Sequence, residues 1–247
     1  KRPMKRIRLH GYELDFDDVF AVIWSQPRDT SFLVPELDHS LNDYVNIERW
    51  RKLLRDLPNL LPANTIWMPS TPNNGSNEWQ NKFSELNIAS QVGLAIPETI
   101  CTDNPEEARK FIERHEPNVL FREMINVNPL VDYEVSLNKI NRQKLFQVKN
   151  SPTIFQEYIK KRYELRCVVI DRKVLSVRIN SQAEGSSKRA KINWKAYDNK
   201  YVSWEAYKLP TDIRLKLIKL TKKLGINWGS ADLIRAEDGN YYFLEIN

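Results

Sequence analysis

Residues 229–247 read GSADLIRAEDGNYYFLEIN and carry an acidic residue on each arm of an apolar hairpin. Glu237-Asp238-Gly239-Asn240 is a strong two-residue turn signal with Asp238-Gly239 at the tip. Counting outward from Glu237 opposite Asn240, Asp232 falls opposite Glu245. Directly opposed residues have Cβ atoms about 5 Å apart, and like charges in that position are destabilising. Leu233, Ile234, Phe243, Leu244 and Ile246 surround the pair, so both faces of the hairpin are apolar. Two carboxylates in such surroundings need a cation between them or a raised pKa. Asn247 shares the face of Glu245 and adds an uncharged oxygen. Asp, Glu and Asn oxygens suit a hard cation such as Mg²⁺, which fills its remaining positions with water and phosphate oxygens. A strand end that reaches solvent would account for Glu245 and Asn247 without a metal.

The rest of the chain sets limits on what such a site serves. Its 247 residues, 41% hydrophobic, can bury a core and divide into two or three lobes. No apolar run approaches the roughly 18 residues of a membrane span, and the first residues lack the apolar centre of a signal peptide. Cys101 and Cys167 stand far apart with no CxxC, which argues against a disulfide framework or a zinc site. Three scattered histidines offer little to a histidine metal site or a catalytic triad. A cytoplasmic protein is expected. The net charge of +6 fits either an anionic partner or a lysine-rich surface. The basic residues are spread without a long arm, which disfavours nucleic acid.

Periodicity predicts alternating strands and helices, then clustered strands. Residues 18–24 form a buried strand, and 46–57 a helix with Ile47, Trp50, Leu53, Leu54 and Leu57 on one stripe. A strand at 64–70 leads into the turn-rich linker 71–78. The following helix carries Trp79, Phe83, Leu86 and Ala89 on one face and ends at Gly93. Asn104, Pro105 and Glu107 predict the start of another helix, with Glu107 closing a capping box. Beyond it, strands are expected at 118–124 and 152–159, then a hairpin around Asp171-Arg172-Lys173. A helix over 211–225 with Ile213, Leu217, Leu220 and Leu224 on one stripe precedes the closing hairpin. The pattern predicts a mixed α/β and α+β enzyme of several lobes.

Seven glycines form no P-loop and no dinucleotide fingerprint, so phosphates would have to meet side-chain cations. The candidates are Lys82, early in its helix, and Arg122, embedded in the apolar strand Asn-Val-Leu-Phe-Arg-Glu-Met. An internal salt bridge would explain Arg122 equally well.

Together these pieces resemble the ATP-grasp superfamily in its RimK-like branch, most closely the graspetide (microviridin-type) peptide ligases. NKFSELNIASQVGLAIPETICT (81–102) looks like the stretch in which a helical Lys precedes Gly-hydrophobic-x-Pro-x-Thr. FQEYIKKRYELRCVVI (155–170) is similar to the adenine hinge followed by an acidic residue and Arg, and ADLI with YYFLEIN to the magnesium motif. Residues 23–29, IWSQPRD, resemble the Trp-x-Arg-Arg-Pro segment of microviridin-type ligases with Ser-Gln in place of the Arg pair.

The resemblance implies an ATP-grasp fold. A pre-ATP-grasp α/β domain would span 1–76, and lobes over 77–157 and 158–247 would clamp ATP. It implies that Lys82 and Arg122 contact the phosphates and that Gln156, Glu157, Tyr158 and Ile159 form the hinge against adenine. Glu164 would meet the ribose, and Asp232, Glu245 and Asn247 would hold Mg²⁺. The implied reaction is ADP-forming ligation. Asp or Glu side chains of a ribosomal precursor peptide, leader plus acidic core, are activated as acyl phosphates and closed into ω-ester or ω-amide macrocycles. Ligation of free amino acids, or binding without catalysis, are the alternatives, and a homodimer is left open. Arg178 and Lys195 would orient the substrate carboxylate.

Three departures stand out. MINVNPLVDYEV (124–135) lacks the glycine-containing phosphate loop expected there, and Asn193-Trp194-Lys195 replaces Asp-aromatic-Arg. The sequence also stops where such ligases continue with Pro-x-Gly and a final helix, so further residues are expected.

Overall fold

The computed structural model describes residues 6–9, 11–23, 41–70, 82–115, 119–122, 145, 147–186, 191 and 201–247. Strands β1 (Arg6–Leu9) and β2 (Tyr12–Asp15) form an antiparallel hairpin. Strands β3 (Ala21–Ile23) and β4 (Ile66–Met68) pair in parallel, connected through helix α1 (Leu41–Leu60). Phe16, Leu61 and Trp67 form the core of this N-terminal unit, with Leu57 and Leu60 packed on it. The buried strand expected at 18–24 is shorter and largely exposed, and the helix expected at 46–57 is longer. The linker stretch 71–78 lies outside the described residues.

Helix α2 (Lys82–Gln91) ends as its glycine predicts. Gly93 has φ +85°, its N–H donates to Ser90 O, and the Leu94 N–H donates to Ala89 O. That pattern satisfies two carbonyls the helix end would otherwise leave bare. Strand β5 (Thr99–Thr102) and helix α3 (Pro105–His115) follow, then β6 (Val119–Arg122) and β7 (Thr153–Glu157). These three strands form an antiparallel sheet in the order β5-β7-β6, with Ala108, Phe111, Val119, Val148 and Phe155 as its core. The start of α3 differs from the expected capping box. Asn104 accepts the Glu106 N–H as predicted (2.9 Å), but Glu107 accepts from the Thr102 hydroxyl (2.6 Å). Thr102 in turn receives the Asn104 N–H (3.0 Å), so the cap is relayed through a residue of β5.

The largest sheet contains β8 (Lys161–Ile170), β9 (Lys173–Ile179), β10 (Trp204–Ala206), β11 (Trp228–Ala236) and β12 (Tyr241–Ile246). All its neighbours are antiparallel, in the order β10-β9-β8-β11-β12. Helix α4 (Thr211–Lys223) covers one face, burying Ile213, Leu217 and Leu220. Each such side chain contributes about 1.5–3 kcal/mol. Leu165, Cys167, Val169, Leu233, Phe243 and Ile246 meet them from the sheet. Leu86 and Ala89 of α2 join the same cluster, and the segment after α2 bridges to β12 through Ala95 and Tyr242. Thus α2, which precedes the three-stranded sheet in sequence, packs against the five-stranded one. Among the described residues, no helix is long and apolar enough to cross a membrane.

Candidate active site

The face of the five-stranded sheet turned away from α4 carries the acidic pair. Asp232 stands opposite Glu245 in the β11–β12 ladder, as the sequence predicts. The route to that pairing is different. Glu237, Asp238 and Gly239 all lie in the loop, which is closed by the Ala236 N–H donating to Asn240 O (2.9 Å). Gly239 adopts φ +90°, a conformation that favours glycine. The pairs next to the loop are Arg235 with Tyr241, Ile234 with Tyr242 and Leu233 with Phe243. The register then shifts between Asp232 and Leu233, leaving Leu244 as an extra residue in β12. This bulge restores the Asp232–Glu245 match. The ladder continues to Ser230 and Asn247, whose backbones exchange hydrogen bonds of 2.6 and 3.0 Å. Asp232, Glu245 and Asn247 therefore share one face.

Positive charge already surrounds the acidic pair. Asp232 is only 5% exposed, and Nη1 of Arg166, its cross-strand partner on β8, lies 2.7 and 2.8 Å from its two oxygens. Nζ of Lys82, the first residue of α2, donates to the Leu244 carbonyl and lies 3.3 Å from Glu245 Oε2. A bulge turns backbone groups out of the ladder, and here the freed carbonyl meets the lysine. Asn247 Nδ2 donates to the other Glu245 oxygen (3.3 Å). One turn along α2 from Lys82, the buried Glu85 carboxylate accepts the Ile246 N–H (3.2 Å). Burial raises the Glu85 carboxyl to about 7, against the pull of Lys82 and the Ile246 N–H.

Among the described residues there is no cluster of three or more His, Cys, Asp or Glu placed for a metal. The acidic face offers two carboxylates and an amide oxygen, an all-oxygen set that fits Mg²⁺ when phosphate or water supplies the remaining ligands. The buried Asp232 has a cation beside it in this structure, which fits a position built to balance positive charge.

Other expected site residues border the same face. Glu164 stands opposite Ile234 and so projects beside Asp232. It is buried in an ion pair with Lys161 (2.6 Å), and burial lifts its carboxyl above the usual range against the pull of that lysine. Ile159 packs on Ile234, Ala236, Tyr242 and Leu244, an apolar patch next to the acidic pair. Gln156 is fully buried between β5 and β6; its amide nitrogen donates to Thr99 (2.9 Å), while Oε1 has no partner among the described residues. The Glu157 N–H donates to Glu98 O (2.8 Å), so it is not an open donor for a base. Tyr158 follows it in the connection to β8.

Arg178 is not brought to this group. It pairs with Leu165 and Glu205 across the sheet, and hence projects from the α4 side, 4.6 Å above the Tyr163 ring. The backbone of Arg122 pairs with Ile154 at the end of β6, but its side chain lies outside the described residues, as do Asn193 and Lys195. Two members of the constellation, Arg166 and Glu85, had no role assigned from sequence. Glu85 did leave a signal. Positions 82, 85, 86 and 89 share one helical face, so a carboxylate there stands on a buried stripe.

Residues 79–247 match the RimK-like ATP-grasp domain, and the chain belongs to that family. Its fold is the ATP-grasp fold. The macrocyclase MdnC of Microcystis aeruginosa MRC, solved with the precursor peptide MdnA, is 26% identical with a TM-score of 0.78. The match covers 98% of this chain and 74% of MdnC. A RiPP-associated ATP-grasp ligase of Chryseobacterium gregarium, solved with ADP and a leader and core peptide, is 23% identical with a TM-score of 0.71. That match covers 100% of this chain and 78% of the ligase. The ATP-grasp ligase PsnB, solved with a minimal precursor, Mg and ADP, is 17% identical with a TM-score of 0.64, covering 83% of this chain and 61% of PsnB. No curated protein sequence matches the chain.

Proposed function

We propose that this protein is an ATP-dependent carboxylate ligase that closes macrocycles in a ribosomal precursor peptide. The observation that carries the reading is 26% identity to MdnC across 98% of the chain. The acidic pair with two cations beside it on one sheet face supports the same chemistry. Asp232, Glu245 and Asn247 would hold Mg²⁺ against the phosphates, and when bound it supplies positive charge to the phosphoryl oxygens. Lys82 would turn from Glu245 toward the phosphates, joined by Arg122. Ile159 and Ile234 would floor the adenine pocket beside Gln156, Glu157 and Tyr158, and Glu164 would meet the ribose. The lobes would divide near residue 157, with ATP between the two sheets.

In the reaction, an Asp or Glu carboxylate oxygen of the peptide attacks the γ-phosphorus and ADP leaves, giving an acyl phosphate. A hydroxyl or amine of the same peptide then attacks the acyl carbon, phosphate departs and a proton is lost. This gives an ω-ester or ω-amide ring. Lys195 would orient the carboxylate, since positioning lowers the barrier by several kcal/mol in such sites. Arg178 would contribute only through a peptide that reaches the α4 side of the sheet. A cytoplasmic location suits this reading, because ATP is plentiful there and both cysteines are unpaired.

The test incubates the full chain with ATP, Mg²⁺ and its precursor peptide. The reading expects ADP and inorganic phosphate, with the peptide losing one water per ring. A peptide that gains an amino-acid residue would identify a RimK-type extending ligase, and AMP with pyrophosphate would exclude the acyl-phosphate route.

A further inference from the structure

The end of β12 is held from outside its own sheet by two residues of α2, and one of them, Glu85, had no role assigned from the sequence. Three consecutive residues of β12 are gripped by one face of α2. Leu244 O and Glu245 Oε2 take Lys82, and the Ile246 N–H donates to Glu85 Oε2 at 3.2 Å. Lys82 and Glu85 are three apart on the helix, so they project together along the strand. Glu85 is only 4% exposed. A carboxylate removed from water that far is destabilising unless its position serves a partner.

We propose that Glu85 is a positioning residue of the metal site, fixing the Glu245–Asn247 segment through the Ile246 amide so that both ligand oxygens face Asp232. The Ile246 N–H belongs to the peptide unit directly after Glu245, and Asn247 follows one residue on. A single acceptor there constrains both flanking side chains. The bulge at Leu244 makes this necessary. A bulged strand loses local ladder bonds and twists more, so the terminal residues need an external anchor to hold one geometry. The anchor also couples α2 to the acidic face, so a nucleotide drawing Lys82 away would leave Glu85 keeping β12 in place. This inference rests on the metal assignment proposed above, and its test separates the two.

Mg²⁺ is titrated by calorimetry into the full chain saturated with ADP, comparing wild type with Glu85→Gln, Glu85→Met and Glu85→Ala. Gln keeps an acceptor oxygen, whereas Met keeps only length and helix propensity. Outer-shell partners of metal ligands are worth about 10–100-fold in affinity. The expected result is Mg²⁺ affinity lowered by that range in Met and Ala, restored to within about threefold in Gln, and little change in affinity for ADP alone. Wild-type affinity in the Met or Ala variant overturns the proposal. A Gln variant as weak as Met also overturns it, because charge rather than the hydrogen bond would then be at work. No Mg²⁺ binding in the wild type removes the metal assignment itself.

Should Met and Ala fail to fold, amide exchange of Ile246 in the wild type carries the test. Coupling is reciprocal, so a hydrogen bond that favours the metal must be favoured by it. Slower exchange on adding Mg²⁺ to the ADP complex supports the anchor, and an unchanged rate overturns it.

Discussion

Replacing Arg166 by Met probes the charge balance of the acidic face without touching a proposed metal ligand. Asp232 is 5% exposed, and its closest described cation is Arg166 at 2.7 Å. Breaking a buried ion pair by removing one partner costs about 3–5 kcal/mol, because the remaining charge stays out of water. The Arg166 side chain keeps 25% of its surface exposed, so water screens part of the interaction. The expected loss is therefore nearer about 2–3 kcal/mol. Asp232→Asn should cost less, about 1 kcal/mol, since a partly exposed guanidinium can turn to solvent. The double variant should be milder than the sum of the singles, with a coupling of about 1–2 kcal/mol. The assay is urea unfolding in EDTA without nucleotide, followed by tryptophan fluorescence, with midpoints compared at constant slope. A second sign is built in. Mg²⁺ with ADP should stabilise Arg166→Met more than wild type, because the bound cation would supply the missing charge. Additive single effects would refute the pairing, and a metal response equal in both proteins would refute the link between Asp232 and the cation.

Four further outcomes follow from the same geometry. Lys82→Met should lower the apo protein's stability by only about 1–2 kcal/mol while removing most stabilisation by Mg²⁺·ADP in thermal shift; retained nucleotide stabilisation would free Lys82 from the phosphate role. Glu245→Gln should abolish the difference between nucleotide binding with Mg²⁺ and with EDTA, measured by calorimetry. Lys161→Met should cost about 3 kcal/mol by stranding the buried Glu164, and Lys161→Met/Glu164→Leu should recover much of that, since replacing both partners by apolar groups is close to neutral. Gly229→Ala would set a Cβ 2.7 Å from Ile246 Cδ1 and should cost about 1–3 kcal/mol through overpacking, relieved by Ile246→Val in the double variant.

The sequence revealed elements most clearly where local chemistry and tertiary packing agree. Gly93 and Gly225 end α2 and α4 because both positions need a positive φ, +85° and +70°. The stripe Ile213, Leu217 and Leu220 is buried as its spacing predicts. Strand β10 was not foreseen, because an edge strand with all three residues exposed carries no alternation. The association of α2 with the five-stranded sheet was not legible either. Its apolar face matches any apolar surface, and only the packing of Leu86 and Ala89 with Leu165 and Phe243 selects one. The relay through Thr102 at the start of α3 was hidden because it depends on how β5 approaches the helix.

The acidic pair was located by an argument whose two errors cancel, and the reason they cancel is physical. A regular β12 would put Phe243 on the same face as Glu245, since side chains alternate along a regular strand. Phe243 is fully buried against α4, however, and Ile246 is nearly so. Two core residues three apart cannot share a face of a regular strand, so β12 must contain an irregularity between them. The longer loop shifts the register one way, and the extra Leu244 shifts it back. Burial of Phe243 and Ile246 thus forces Glu245 and Asn247 to the other face, where Asp232 and Ile234 lie. The same irregularity turns the Leu244 carbonyl toward Lys82 and makes the hold of Glu85 on the Ile246 amide matter. The spacing Phe243–Ile246 within an otherwise alternating strand was the signal for all of this. It indicates that the acidic face is set by the core behind it more than by the turn at the hairpin's tip.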